Sequence, residues 1–172
     1  ELWRHSVAAS LAAEIIPEYA SVALPIEVVT AGLLHDIGKL LVNRFAEPET
    51  RAALQRALED TYEDRLAVEI EILGIHHGEL GGLIVDAWKL PPTIATAIQY
   101  HHAPEECGEP IAYATALANI AAKIVGAGSD EGAVDVVAYA HAMEALGMNS
   151  DGFDAVVRST YERFTEVCER YG

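Results

Sequence analysis

Histidines on the apolar faces of predicted helices are the part of this sequence best suited to chemistry. The chain has seven histidines. The helical spacing of apolar residues places four of them on the inward faces of four separate helices: His5, His35, His77 and one of the pair His101 and His102. A single inward histidine is usually a core imidazole bonded to a carbonyl group. Several on different helices are typical of a metal site built inside a helical bundle.

His35 is followed directly by Asp36, which adds a carboxylate to the set. Neighbouring helical residues point about 100° apart, so the two can share an ion only if it lies close to the helix, between their directions. Gly32 would let another helix approach this face. Imidazole nitrogen with carboxylate oxygen suits Zn, Fe, Mn or Ni. The alternative is an ordinary helix end, where His35 and Lys39 offset the helix dipole.

The elements that position these residues are predicted to be helices throughout. Apolar residues recur with the helical period in every segment, and the sequence contains no convincing alternating strand pattern and no internal repeat. Gly38 is expected to end the second helix, and Gly126 and Gly128 the helix that begins at Ile111. The predicted helices begin near Leu2, Val28, Glu47, His77, Pro92, Ile111, Val136 and Phe153. The sequence therefore predicts an all-α bundle with a polar cavity at its centre.

Composition limits the classes of function. The 172 residues suit one domain, and half of them are apolar. No apolar run approaches the roughly 20 residues that span a bilayer, and no secretory signal is visible. The formal charge of −16 opposes binding to nucleic acid or to an anionic membrane, although a small anionic ligand stays possible. Cys107 and Cys168 form no CxxC pair, which favours a reducing cytoplasm and no disulfide framework.

Ordered motifs around the histidines resemble those of a known family. The string LLHDIGKLL at 33–41, with WRHS at 3–6, resembles the signature of the HD superfamily. The segment 71–102, EILGIHHGELGGLIVDAWKLPPTIATAIQYHH, resembles the HDOD family more narrowly. ALANIAAKI at 116–124 resembles the next helix of that family. The resemblance covers about two thirds of the chain, from His5 to Ile124.

The resemblance implies an all-α fold of the HD type, a bacterial signalling context and a metal site. It implies that Lys39 binds a phosphate, and that Asp36 or a histidine transfers protons during catalysis. The implied metal ligands are His5, His35 and Asp36, with His77, His101 and His102 for a second ion. We expect His5, His35, Asp36 and Asn119 to converge, with His77 and at least one of His101 and His102 on the rim of the same cavity. We also expect residues 1–172 to form one HDOD-like domain, a fragment lacking N-terminal helices or further domains.

Two departures from the superfamily pattern bear on catalysis. Asn119 stands where the superfamily carries an aspartate, and a neutral amide is a weaker ligand for a divalent ion. We therefore expect weak or variable metal occupancy. The HD-GYP relatives that cleave cyclic di-GMP carry a glycine-tyrosine-proline element after a histidine pair, whereas here His76-His77 is followed by GELGG.

Three functions follow from these residues. The favoured one is a signalling module that binds a partner protein or domain, or a small phosphate-containing ligand. The second is a metal-dependent phosphohydrolase that acts on a nucleotide or a cyclic dinucleotide. The third is a structural metal site without turnover.

Other residues near the motifs have more ordinary predicted roles. Trp88 is expected to fill the core between two helices. Glu71 and Glu79 are candidates to orient His77 by accepting a hydrogen bond, with a solvated helix face as the alternative. His76 and His141 are expected to be structural.

Overall fold

Helices account for all regular structure in residues 2–60, 65–127 and 136–171, which are the residues that the computed structural model describes. The predicted all-α fold is confirmed. Two short 3-10 helices cover Ile16–Glu18 and Pro104–Glu106. The α-helices are α1 (Leu2–Ile15), α2 (Val28–Leu34), α3 (Ile37–Phe45), α4 (Pro48–Asp60), α5 (Arg65–Leu73), α6 (His77–Ala87), α7 (Pro92–Gln99), α8 (Pro110–Ile124), α9 (Val136–Ala145) and α10 (Ser150–Tyr171).

Small residues allow α1, α2 and α8 to approach closely. Alanines at 8, 9, 12 and 13 of α1 are fully buried, as are those at 118, 121 and 122 of α8. A Cβ at Gly32 would lie 2.9 Å from the carbonyl oxygen of Ala9, so only glycine suits this crossing of α1 and α2. The predicted role of Gly32 in close helix approach is confirmed. This crossing brings His5 of α1 next to His35.

The His35–Asp36 pair lies at a break between two helices. We predicted one helix through this region, ended by Gly38, and that prediction is wrong. Helix α2 ends at Leu34, and Asp36 is the N-cap of α3 with φ −100° and ψ 14°. Gly38 lies in the first turn of α3, where any Cβ would collide with the backbone carbonyl of His77. Its missing side chain lets α3 contact α6, so it serves helix packing.

Trp88 lies at the surface, which corrects its predicted place in the core. Because Val85 is fully buried, helical spacing would place residue 88 on the same buried face. However, α6 ends at Ala87 and Trp88 is its C-cap. The side chain is 54% exposed, and Lys89 continues the turn with φ 62°. Ile94 and Ile98 of α7 pack in the same core cluster as Val85 and supply the apolar contacts there.

Other predicted features fall at or near the expected places. Helix α10 begins at Ser150, three residues before the predicted Phe153, and the side chain of Asn149 accepts a hydrogen bond from the Gly152 amide at its start. Gly128 lies outside the described residues. Cys107 and Cys168 are both free thiols. Among the described residues, no helix combines the length and apolarity needed to cross a membrane.

Candidate metal centre

The seven side chains predicted as metal ligands meet at the centre of the bundle. All are buried except His102, which is partly exposed. His5 lies in α1, His35 and Asp36 lie at the α2–α3 break, and His77 begins α6. His101 and His102 lie in the turn after α7, and Asn119 lies in α8. Donor atoms that share one ion through bonds of about 2.1 Å lie roughly 3.0–3.5 Å apart, and several pairs here fall in that range.

The first group of donors comprises His5, His35 and Asp36, with Asn119 beside it. Their ligand atoms all lie within 4.8 Å of one another. Nε2 of His5 is 3.2 Å from Nε2 of His35 and 3.0 Å from Oδ1 of Asn119. Nε2 of His35 is 3.5 Å from Oδ2 of Asp36. This group could hold one metal ion.

The second group comprises His77, His101 and His102, whose ligand atoms also lie within 4.8 Å of one another. Nε2 of His77 is 2.9 Å from Nε2 of His102. The rings of His101 and His102 lie close together, with centroids 4.0 Å apart. A second ion could be held by this group.

Asp36 lies between the two groups and presents one oxygen to each. Its Oδ2 faces His35 and lies 3.9 Å from Nε2 of His5. Its Oδ1 is 3.2 Å from Nε2 of His77 and 4.0 Å from Nε2 of His101. The carboxylate could therefore contribute one oxygen to each ion.

Hydrogen bonds fix the orientation of three of the rings. Nδ1 of His35 donates to the carbonyl of Gly32 over 2.8 Å, and Nδ1 of His101 donates to the carbonyl of Ile98 over 2.7 Å. Nδ1 of His77 donates to a carboxylate oxygen of Glu69 over 2.7 Å. Because these acceptors cannot donate, the proton is on Nδ1 in each neutral ring and the lone pair of Nε2 faces the centre. Metal-binding histidines are held in the same way.

Burial keeps most of the rings neutral, as ligation requires. It lowers the pKa of His35 to about 4 and also lowers that of His5. Burial, together with neighbouring histidines, lowers the pKa of His101 and His102 well below the usual value. His77 differs because the carboxylates of Asp36 and Glu69 beside its ring outweigh its burial and raise its pKa.

Asp36 supplies negative charge at the centre. Burial disfavours the ionised carboxylate, but the neighbouring side chains of His35, Lys39 and His77 outweigh it. The pKa of Asp36 is therefore held well below its usual value. Within the described part of the chain, Oδ1 of Asp36 and Nε2 of His101 are buried with no hydrogen-bond partner. Such atoms are costly unless something binds them, so the donor set fits a divalent ion.

Comparison with known proteins places the chain in a family. The model of the HDOD domain matches residues 1–104, more than half of the 172 residues. The chain belongs to the HDOD family. A search of curated proteins found no match.

Solved structures similar to this HDOD chain support the fold. An HDOD domain protein of unknown function from Geobacter sulfurreducens is 26% identical, with a TM-score of 0.76 over 95% of this chain and 59% of that chain. A fragment of the MmoQ response regulator from Methylococcus capsulatus str. Bath is 27% identical, with a TM-score of 0.62 over 88% and 59%. A proposed phosphohydrolase from Shewanella amazonensis SB2B is 24% identical, with a TM-score of 0.70 over 93% and 58%. The chain spans about three fifths of each of these structures.

Lys39, expected at a phosphate, contacts the centre of this HDOD chain through Asp36. Its Nζ donates to Oδ2 of Asp36 over 3.0 Å. Lys39 also lines a cavity of about 140 Å³, which reaches His77 and includes Asn43 and Arg65 in its wall. Its wall therefore combines two cationic side chains, Lys39 and Arg65, with the carboxylate of Glu69.

The carboxylate that orients His77 is Glu69, which our sequence analysis missed. Glu71 is exposed, as a solvated helix face predicts. Glu79 contacts His76, whose amide donates to it over 3.4 Å, so neither of these carboxylates orients His77. No motif marks Glu69, since it lies in a segment of general helix formers eight residues before His77. The predicted structural role of His76 is confirmed, because its ring accepts from the Gly78 amide and caps α6.

His141, the other histidine expected to be structural, lies at the surface. It is exposed on α9, outside the two groups of donors. A substitution there therefore leaves the centre of the bundle untouched.

Replacing Asn119 with aspartate should tighten binding of divalent metal by about tenfold, since ligand charge governs the affinity of oxygen sites. The new carboxylate would lie where an amide oxygen is now 3.0 Å from Nε2 of His5. Titration calorimetry with Mn and Zn, on protein purified without a metal-chelating tag, measures the change. Asn149→Asp is the matched control, because it adds the same charge at an exposed helix cap. Tight binding of two ions by the unchanged protein, with no gain in Asn119→Asp, would contradict this expectation.

Proposed function

We propose that this HDOD domain is a regulatory module whose histidine–aspartate centre binds one or two divalent ions and reports its state to a partner signalling protein or domain. Membership of the HDOD family and the likeness to the MmoQ response regulator support a signalling role. The free thiols Cys107 and Cys168 suit work in a reducing cytoplasm. The metal would be Fe, Mn, Zn or Ni, the ions that imidazole and carboxylate donors favour.

The burial of the centre is the observation that carries this proposal. His35 is 0% exposed, and Asp36 and His101 are each 2% exposed. An ion can pass into such a site and remain there, whereas a phosphodiester needs an open position beside the ions and a surface that grips it. The neutral Asn119 also reduces the charge available to hold ions during turnover.

The residues of the centre would form two sets of ligands, one for each of two ions. His5, His35 and Asp36 would hold one, with the Asn119 amide oxygen beside it. His77, His101 and His102 would hold the other, and the second oxygen of Asp36 would face it. A bound divalent ion supplies fixed positive charge and Lewis acidity. Gly32, Ile98 and Glu69 keep three of the rings turned toward the ions.

The test of the proposal is turnover of a panel of phosphodiesters, cyclic di-GMP included, with added Mn, Fe(II) or Zn. We expect rates far below the 1 per second or so that is typical of a working enzyme, while the same preparation binds metal. Asp36→Ala sets the background. Metal-dependent hydrolysis at about 1 per second or faster, lost in Asp36→Ala, would overturn the regulatory role.

The alternative is a metal-dependent phosphohydrolase that acts on a nucleotide or cyclic dinucleotide. The cavity beside His77 favours it, because Lys39 and Arg65 both line the wall and could steady phosphate oxygens as charge develops. In that case Lys39→Ala should lower kcat on the best substrate of the panel without weakening metal binding, because it removes a positive charge from beside Asp36.

A further inference from the structure

The α4–α5 hairpin is the least firmly packed part of the bundle around the metal centre. Its two helices pack on each other more extensively than on any other helix. Among the described side chains of the hairpin, Val68 and Glu69 are the two that are buried. The hairpin is therefore attached to the rest of the domain through few side chains.

Among the described residues, Glu69 makes a short polar contact between this hairpin and the centre. One oxygen, Oε2, accepts from the backbone amide of His77 and from Nδ1 of its ring, both over 2.7 Å. Glu69 is 7% exposed. Burial disfavours its charge, but the hydrogen bonds from His77 outweigh burial and lower the pKa of the carboxyl group. Glu69 is thus an ionised acceptor at the side of His77 that faces away from Asp36.

A cavity of about 140 Å³ lies around this contact. Lys39, Val42 and Asn43 of α3 line one side, and the hairpin lines the other through Leu54, Leu58, Arg65 and Leu73. Close packing between the hairpin and α3 is therefore incomplete. A second polar contact, from Arg51 of α4 to the carbonyl of Asn43 over 2.7 Å, is exposed to solvent and contributes less.

We propose that Glu69 is the positioning residue for His77 and that it couples the α4–α5 hairpin to metal binding at the centre. The inference rests on the proposed function, since it assumes that His77 is a metal ligand. Glu69 holds the Nδ1–H, which leaves the lone pair of Nε2 directed at Asp36 and His102. When Nε2 ligates an ion, Nδ1–H becomes a stronger donor, and its bond to the carboxylate strengthens.

Linkage makes this coupling reciprocal. If the docked hairpin strengthens metal binding through Glu69, metal binding must stabilise the docked hairpin by the same factor. The packing of the hairpin then depends on whether the buried centre holds metal, and this difference is accessible at the surface of the domain. A partner that distinguishes the docked from the loosened hairpin would receive the signal.

Hydrogen exchange of the full 172-residue chain, with and without Zn or Mn, tests the coupling. Saturating metal should slow exchange of the α4 and α5 amides by about tenfold, within the usual range of coupling between sites. Glu69→Ala should remove this effect and weaken metal binding by about 10- to 100-fold. The matched control is Glu71→Ala on the exposed face of the same helix, which should behave like the unchanged protein.

The tautomer of His77 in metal-free protein gives a readout that general destabilisation would not reproduce. In titration to a pH at which the His77 ring is neutral, ring nitrogen shifts should show the Nδ1–H form. Glu69→Ala should mix the two tautomers. The isosteric Glu69→Gln keeps an acceptor oxygen, so it should restore the Nδ1–H form and most of the fold stability.

Two results would overturn this inference. One is a wild-type chain that binds metal while exchange in the hairpin is unchanged. The other is a Glu69→Ala chain that keeps both the His77 tautomer and the metal-dependent protection. Absence of metal binding in the wild type would instead contradict the proposed function, and the tautomer measurement would still decide whether Glu69 positions His77.

Discussion

Replacing Asp36 with alanine should weaken metal binding at both groups of ligands by at least about 100-fold. The reason is that its two oxygens face different groups, Oδ2 toward His35 and Oδ1 toward His77. Asp36 is also the carboxylate whose oxygens face both groups, so its loss removes negative charge that would offset a divalent ion. Metal content by elemental analysis and titration calorimetry would measure the change.

Two further variants make this result specific to the centre. Asp36→Asn keeps the shape of the side chain and removes only its charge, so it should fold and still lose most of the affinity. Asp86→Ala removes an exposed carboxylate from α6 and should bind metal as the unchanged protein does. Stoichiometric metal retained by folded Asp36→Ala would contradict the two-sided role of this residue.

The metal-free protein should lose stability as the pH falls from about 6.5 to about 4. An unfolded histidine takes up its proton near pH 6.5, whereas buried His35 does so only at about 4. Between these values the unfolded chain binds more protons, so acid favours unfolding. His35 alone accounts for about 3 kcal/mol at the acid end, from 1.36 kcal/mol per unit of pKa. His5, His101 and His102 act in the same direction.

The raised pKa of His77 stabilises the folded protein as the pH falls. It is one histidine, whereas the four with lowered pKa values act in the opposite direction. Urea unfolding at several pH values, with a chelator present, would measure the free energy of unfolding. His35→Gln should reduce its dependence on pH, while His141→Gln, at an exposed position, should leave it unchanged. Stability that stays constant or rises as the pH falls through this range would contradict the burial of neutral rings.

The amino-acid sequence by itself determined the fold class and most members of the site. Apolar spacing indicates which face of each helix is buried, so it placed His5, His35 and His77 inside without any knowledge of their neighbours. The resemblance of LLHDIGKLL and the histidine-rich segment to HDOD motifs then predicted that these faces meet. The role of Gly32 in helix packing could be predicted for the same reason, since a small residue on a buried face indicates a close helix crossing.

Only the tertiary structure decided what lies opposite each buried face. Glu69 is eight residues from His77 in sequence but belongs to a different helix, and no periodic pattern distinguishes its carboxylate from the exposed one of Glu71. Gly38 was mistaken for a helix end because glycine favours that position, whereas here it admits the backbone of α6. Trp88 followed the inward spacing of α6, yet the helix ended one residue earlier.

The two-sided placement of Asp36 likewise depends on packing. His5 of α1 and His77 of α6 lie near different oxygens of Asp36, which stands at the α2–α3 break. Local sequence governs periodicity, capping and burial because these depend on residues within a few positions. Contacts between residues 30 to 114 positions apart, such as those of His5 with His35 and Asn119, arise only when the whole bundle has packed.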